Sequence, residues 1–243
     1  MSWAVLCLAL GLLISGCASA PSDGERGEII RRILPSTVQL RAERQGGARR
    51  AASGVVLASD PASGRSWIIT TRHFLDPPGA QEVYVSSPGR KGRTKAVVAA
   101  VSPDLDLAVI QVDGLSLPPV RFKEVARLGD EVWVVAFPWG RRLTVVSGVV
   151  SQLVSREDEV PVEGTVRMVD ASVSYGASGG GVFDAESGAL IGIVEGYRTA
   201  NVSLPEAPSR VVPVPVPGET TVIAARTILR FLTASGLEAI VPR

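Results

Sequence analysis

Twelve apolar segments of strand length, separated by glycine, proline and small polar residues, constrain this chain more than any other feature. Six lie before residue 114: TVQLRAE, SGVVLAS, WIITTRHF, EVYVSS, TKAVVAAVS and LAVIQVD. Six follow residue 130: EVWVVAF, LTVVSGVVSQLV, VRMVDASV, GGVFD, LIGIVEG and RVVPVPV. Between the sets runs GLSLPPVRFKEVARLGD, starting at Gly114, rich in proline and turn residues and without alternation. Val, Ile and Thr dominate the segments, which favours an all-β chain over an α/β one. The expectation is two six-stranded antiparallel β-barrels, the first at about 36–113 and the second at about 129–217. Helical periodicity is sustained only near the end, where Val222, Ile223, Ala225, Ile228, Leu229 and Leu232 precede Gly236. That predicts a helix over about 220–235, packed back on the second barrel. A shorter helical run through Ile29, Ile30 and Ile33 stops at Pro35.

With 243 residues, 46% of them hydrophobic, the chain can bury one large core or two small ones. Its formal net charge is +1 and its arginines are scattered, so it lacks the basic patch that nucleic-acid binding requires. The single histidine, His73, cannot build a zinc cluster of the usual kind, and no metal or cofactor is expected.

From Ala4 to Ile14 the sequence is apolar or small and uncharged, the length of a signal-peptide core and short for a bilayer span. It runs into Ile14, Ser15, Gly16 and Cys17, and this ISGC resembles the lipobox of bacterial lipoproteins. The resemblance implies a signal peptide over 1–16 and a lipid-carrying Cys17, which would hold the protein on a membrane. A plain secretory peptide ending at Ala18 or Ala20 is the alternative, and Met1, Ser2 and Trp3 lack the usual leading cation. Ala18 after the cysteine, rather than aspartate, implies outer-membrane sorting in a Gram-negative cell. Residues 17–27 read as the lipidated cysteine with a flexible tether, and 28–235 as the folded domain. Cys7 falls in the removed segment, so the mature domain is expected to have no disulfide.

Three places carry the chemistry. Tyr175 to Gly181 reads YGASGGG and sets Ser178 in a glycine-rich turn between two strand-like runs. A serine hydroxyl needs a general base and N–H donors aimed at the developing oxyanion, and the glycines let a carbonyl approach the N–H groups of Gly176 and Ser178. His73, in TTRHFL at the end of a strong strand, is the candidate base. Asp104 and Asp106, in SPDLDLAVIQ, share one face of their run, and either could orient the imidazole; Asp106 immediately precedes the apolar strand and is preferred.

Taken together, His73 in TTRH, Asp106 in DLAV and Ser178 in GASGG resemble the triad of chymotrypsin-like serine peptidases. SGVVLAS, LGDEVWVVAFPWG, SGVVS, VDASVSYGASGG and ALIGIV are similar to the protease domain of the HtrA/Deg group, and the likeness covers roughly residues 28–217. No motif is left over for a PDZ domain. The resemblance implies that Ser178 attacks a peptide carbonyl, His73 shuttles the proton, Asp106 holds the imidazole, and the Gly176 and Ser178 N–H groups bind the oxyanion. It places Ser172 at the base of the primary specificity pocket with Val194, Glu195 and Gly196 along its wall. An uncharged base suits a small or apolar residue, whereas Glu195 would admit a basic one or simply face water. Ala177 stands where digestive members carry the aspartate of their zymogen switch, which implies that this chain does not mature by it.

The resulting expectation is a serine endopeptidase tethered to the cell envelope and acting on protein or peptide substrates. The alternative is a catalytically silent protease-like lipoprotein that binds a peptide or protein partner. Residues 197–210, YRTANVSLPEAPSR, fit no part of the pattern and read as a loop over the cleft or a disordered excursion.

Overall fold

The computed structural model describes residues 23–240 except 45, 78, 80, 157, 158, 205 and 206. The signal segment and Cys17 lie outside the described residues. The chain opens with helix α1 (Asp23–Ile33), so the predicted tether is helical from Asp23 onward. The helix buries Ile29 and Ile33 and is fixed to the second barrel by Arg26, 2.7 Å from Glu131, and by Arg32, which donates to the Ser187 carbonyl.

Strands β1 (Thr37–Arg44), β2 (Arg49–Asp60), β3 (Arg65–Thr70), β4 (Gln81–Ser86), β5 (Thr94–Val101) and β6 (Ala108–Val112) close the first barrel in the order β1-β2-β3-β6-β5-β4. The connection contributes the two-residue β7 (Ala126–Arg127). Then come β8 (Glu131–Ala136), β9 (Thr144–Leu153), the short β10 (Glu163–Gly164) that pairs with β7, β11 (Val166–Val169), β12 (Gly181–Asp184), β13 (Leu190–Leu204) and β14 (Ala207–Ala224). The second barrel closes as β8-β9-β11-β14-β13-β12, all pairs antiparallel. Counted along its own six strands, this is the same topology as the first.

The twelve segments fall on the twelve barrel strands because β-branched side chains suit a pleated, buried surface. Those strands separate three bodies of core. Leu40, Val56, Ile68, Val83 and Ile110 fill the first barrel, and Val134, Val150, Val182 and Ile191 the second. Between the barrels lie Val55, Leu57, Ile69, Val109, Val135, Phe183, Ile193 and Ile223. Alternate residues of β2 and β3 therefore point into the first barrel and into the interface. A strand buried on both faces reads as an unbroken apolar run, which is why GVVL and WIIT do not alternate with polar residues.

Two boundaries differ from the sequence expectation. Thr220 to Ala224 complete β14, paired with β11 and β13, and helix α2 (Ala225–Ala234) begins only at Ala225. Its buried Ile228, Phe231 and Leu232 join the core between the barrels while the helix rests on β13 and β14. The stretch after Gly196 is a continuation of β13 and β14 as a two-stranded ribbon, from Thr199 opposite Pro215 to Leu204 opposite Ala207. Among the described residues no helix is long and apolar enough to cross a membrane.

Candidate active site

Thr70 ends β3 opposite Ala108 at the start of β6. This register brings the turn after β3 level with the turn before β6, which carry His73 and Asp106. His73 sits in a single 3-10 turn, Arg72–Leu75, whose Phe74 and Leu75 are buried in the first barrel. Asp106 holds it at two points. Its Oδ2 lies 2.6 Å from His73 Nδ1, and its Oδ1 accepts the His73 backbone N–H at 2.7 Å. Asp104 makes no such contact; it is exposed and lines a hollow together with Leu105 and Asp106.

Several groups fix the turn that bears Asp106. Ser102 N–H donates to the Leu107 carbonyl, Leu105 N–H donates to Ser102 Oγ, and Leu107 is fully buried. Arg72 donates to the Ser102 and Pro103 carbonyls. Burial pushes the Asp106 carboxyl up, but the His73 hydrogen bonds outweigh it and, with Arg72 nearby, hold the group below the ordinary carboxylate range. It is therefore the charged form that faces the imidazole near neutral pH.

The serine arrives from the second barrel. Gly176 and Gly179 take φ of 88° and 80°, values that side-chain-bearing residues rarely adopt, and so let residues 175–180 fold back on themselves. Gly179 N–H donates to Val194 O, and Val194 N–H donates to Gly180 O, pinning the turn to β13. Ser53 of β2 joins the turn to the first barrel. Its N–H donates to Ser178 O at 2.9 Å, its Oγ donates to Gly176 O at 2.9 Å, and the same Oγ accepts the Phe137 N–H at 2.8 Å. A side chain at Gly179 would run into Ser53 O and Thr70 Oγ1.

Three residues before Ser53 on the same strand, Arg50 donates to the His73 carbonyl at 2.8 Å. At about 3.3 Å per residue, the two contacts start from points roughly 10 Å apart on β2, which thus joins the histidine turn and the serine turn. His73 is the more open of the acid–imidazole pair, its side chain 46% exposed against 20% for Asp106, and Ser178 is half-buried. Among the described residues, the N–H groups of Gly176 and Ser178 donate to no protein acceptor. An exposed imidazole held by a carboxylate, and a hydroxyl beside two free N–H donors, are the groups that acyl transfer calls for.

A family model described as a trypsin-like peptidase domain matches residues 52–193, which span the histidine turn, the aspartate turn and the serine turn. The chain belongs to the trypsin-like peptidase family. It is 30% identical over 171 residues, 68% of its length, to a probable periplasmic serine endoprotease DegP-like of Pseudomonas fluorescens. A protein of the same description from Hahella chejuensis is 28% identical over 177 residues, 71% of this chain. The chain spans about a third of these relatives, 33% and 35% of their lengths. Among solved structures, its fold is similar to a serine endoprotease from Yersinia pestis, with TM-score 0.66 and 21% identity, over 89% of this chain and 68% of the other. The HtrA-type protease AlgW with tripeptide gives TM-score 0.65 and 23% identity, over 90% and 64%.

The residues of the expected trypsin-like specificity pocket are spread over two places. Ser172 lines a hollow of about 320 Å³ with Val134, Ala136, Val146, Ser174 and Ala177, behind the serine turn. Val194 is buried in the second barrel, Gly196 pairs with Thr221, and Glu195 occupies the bulge between them, lining the hollow of about 270 Å³ that also receives Asp104 and Asp106. Ser172 and Glu195 are therefore not brought together. Ala177 is buried and apolar in its setting, packed in the second barrel's core. Among the described residues no group of His, Cys, Asp and Glu is placed to hold a metal ion. Ser53, whose hydroxyl is fully engaged by Gly176 O and Phe137 N–H, and Arg72 hold the two turns but stand inside ordinary strand and turn sequence, so only the three-dimensional register reveals them.

Proposed function

We propose that the chain is a serine endopeptidase of the HtrA/DegP type in which Ser178, His73 and Asp106 form the catalytic triad. The observation that carries this reading is the double hold of Asp106 on His73, opposite a serine turn whose Gly176 and Ser178 N–H groups have no acceptor. Ser178 Oγ attacks the scissile carbonyl carbon as His73 Nε2 takes its proton, and the carbonyl oxygen becomes an anion bound by the two N–H groups. The C–N bond breaks, His73 returns the proton to the leaving amine, and an acyl-enzyme remains. Water, deprotonated by the same imidazole, attacks that ester, and return of the proton to Ser178 releases the acid. Asp106 keeps Nδ1 protonated and stabilises the imidazolium in each half-reaction.

Ser172 is read as the base of the site for the residue before the scissile bond and the backbone of Val194–Gly196, bonded to the serine turn at Val194, as its wall; the Glu195 side chain, in the other hollow, takes no part. The ISGC sequence supports export and diacylation at Cys17, which would hold the protease at the outer membrane facing proteins of the cell envelope. With each buried methylene contributing about 0.8 kcal/mol, two or more acyl chains make that attachment stable. An unfolded protein substrate tests the activity. The full chain should cleave it at neutral pH, and Ser178→Ala and His73→Ala should each reduce cleavage to background. Cleavage that persists in both variants, with contaminating protease excluded, would reject the triad.

A further inference from the structure

Trp139 is the one non-glycine residue among the described residues with a left-handed backbone, φ 58°. Such a conformation costs free energy and persists only where surrounding contacts enforce it. Here Phe137 N–H donates to Ser53 Oγ, Trp139 N–H donates to Tyr175 O at 2.7 Å, and Gln39 Nε2 donates to Gly140 O. Gly140 lies so close to Ala51 of β2 that a side chain there would strike it. The turn is thus tied to both barrels and to the residue preceding Gly176. All this constraint presents an indole to solvent: Trp139 is 64% exposed. Tyr175, 48% exposed, stands against it with ring centroids 5.4 Å apart and planes tilted by 40°. Core packing explains neither the strained backbone nor the exposure, since both rings lie outside the core clusters.

The pair stands beside the proposed oxyanion site. A side chain at Gly176 would lie 2.8 Å from Trp139 N and 3.0 Å from Phe137 O, so the turn bearing the indole packs directly on the glycine. The serine turn has β13 on its opposite flank, where Gly179 N–H meets Val194 O. We propose that Trp139 and Tyr175 form an aromatic platform that selects an aromatic or large aliphatic side chain immediately after the scissile bond. This rests on the reading of Ser178 as nucleophile and of Val194–Gly196 as lining the site for the residue before that bond. A peptide crossing Ser178 from the β13 flank then leaves over the two rings, which offer a preformed apolar surface at little cost in side-chain freedom.

The test is cleavage-site profiling on a peptide library, read as the ratio of large apolar residues to glycine immediately after the cut. In parallel, a fluorophosphonate is mapped onto Ser178. The wild type should favour large apolar residues, and Trp139→Gly and Tyr175→Ala should each lower the ratio about 3- to 10-fold while Ser178 still takes the label. Glycine suits the left-handed backbone at position 139, so that variant removes the ring without straining the turn. Tyr175→Phe, which keeps the ring, should retain the ratio. A ratio that is flat in the wild type, unchanged in both ring-deleting variants, or altered only at the residue before the cut would overturn the platform while leaving the nucleophile intact. A wild type that neither cleaves nor takes the label would reject the triad and the platform with it.

Discussion

Ser53 has no part in bond-making, yet it sets the distance between the two halves of the site. Its hydroxyl satisfies the buried Phe137 N–H and Gly176 carbonyl, and its own N–H meets Ser178 O. Ser53→Ala should orphan the first two groups and cost about 2–4 kcal/mol of stability, measured by urea unfolding, with a loss of turnover larger than any change in KM. Asp106→Asn should keep the imidazole in place but supply a donor where an acceptor is needed, lowering turnover by about 10,000-fold with little change in substrate binding. Ser178, His73 and Asp106 were legible as reactive groups because glycines, a lone histidine and a strand-entry aspartate stand out in one dimension. Of the two candidate aspartates, it is Asp106 that lies within hydrogen-bond distance of His73, at the end where β3 pairs with β6. Ser53, Arg72 and Trp139 were not legible, because an ordinary residue gains its role only from what folding sets opposite it.

The connection between the barrels is held at its C-terminal part by Lys123, whose ammonium lies 2.5 Å from Asp184 Oδ2 and 3.2 Å from Asp130 Oδ2. Burial pushes the Asp184 carboxyl up, but hydrogen bonds from Lys123 and Ser187 outweigh it and hold it below the ordinary range. A carboxyl depressed in the folded state contributes stability that is complete above its unfolded pKa and is lost as pH falls toward the folded value. Asp184→Asn should therefore be less stable than the wild type at pH 7, and the gap should narrow on acidification from about pH 5 to about pH 3. A constant gap in urea unfolding across that range would show that the ion pair carries no such linkage. Elements were legible where side chains report burial, as in the twelve barrel strands. Past Gly196 they were not: residues 197–210 read as a loop but extend β13 and β14, whereas RVVPVPV read correctly as a strand although Pro213 and Pro215 stand in it, which a strand tolerates only where an N–H is not needed for its ladder. The helix start was misplaced because Thr220–Ala224 suits a strand as well as a helix, and pairing with β11 and β13 decides it.

Two barrels of one topology, each with its own core, are joined by a third apolar body in which Phe183 is fully buried. Phe183→Ala should cost about 3–5 kcal/mol and, by loosening the contact between the barrels, lower activity at temperatures where the protein is still folded. The barrel count was legible because strand-length apolar runs came in two sets of six around a proline-rich connection. The pairing of residues 73 and 106 and the proposed approach of Ser178 to them were not, since they depend on strand pairings and on the Ser53 bridge that no local pattern encodes. That approach is the central claim, and peptide mapping by mass spectrometry after fluorophosphonate treatment tests it most directly. The account predicts one adduct, on Ser178, that forms on the folded wild type, slows in Asp106→Asn and is absent from His73→Ala. Labelling of Ser178 at the same rate in His73→Ala as in the wild type would contradict it.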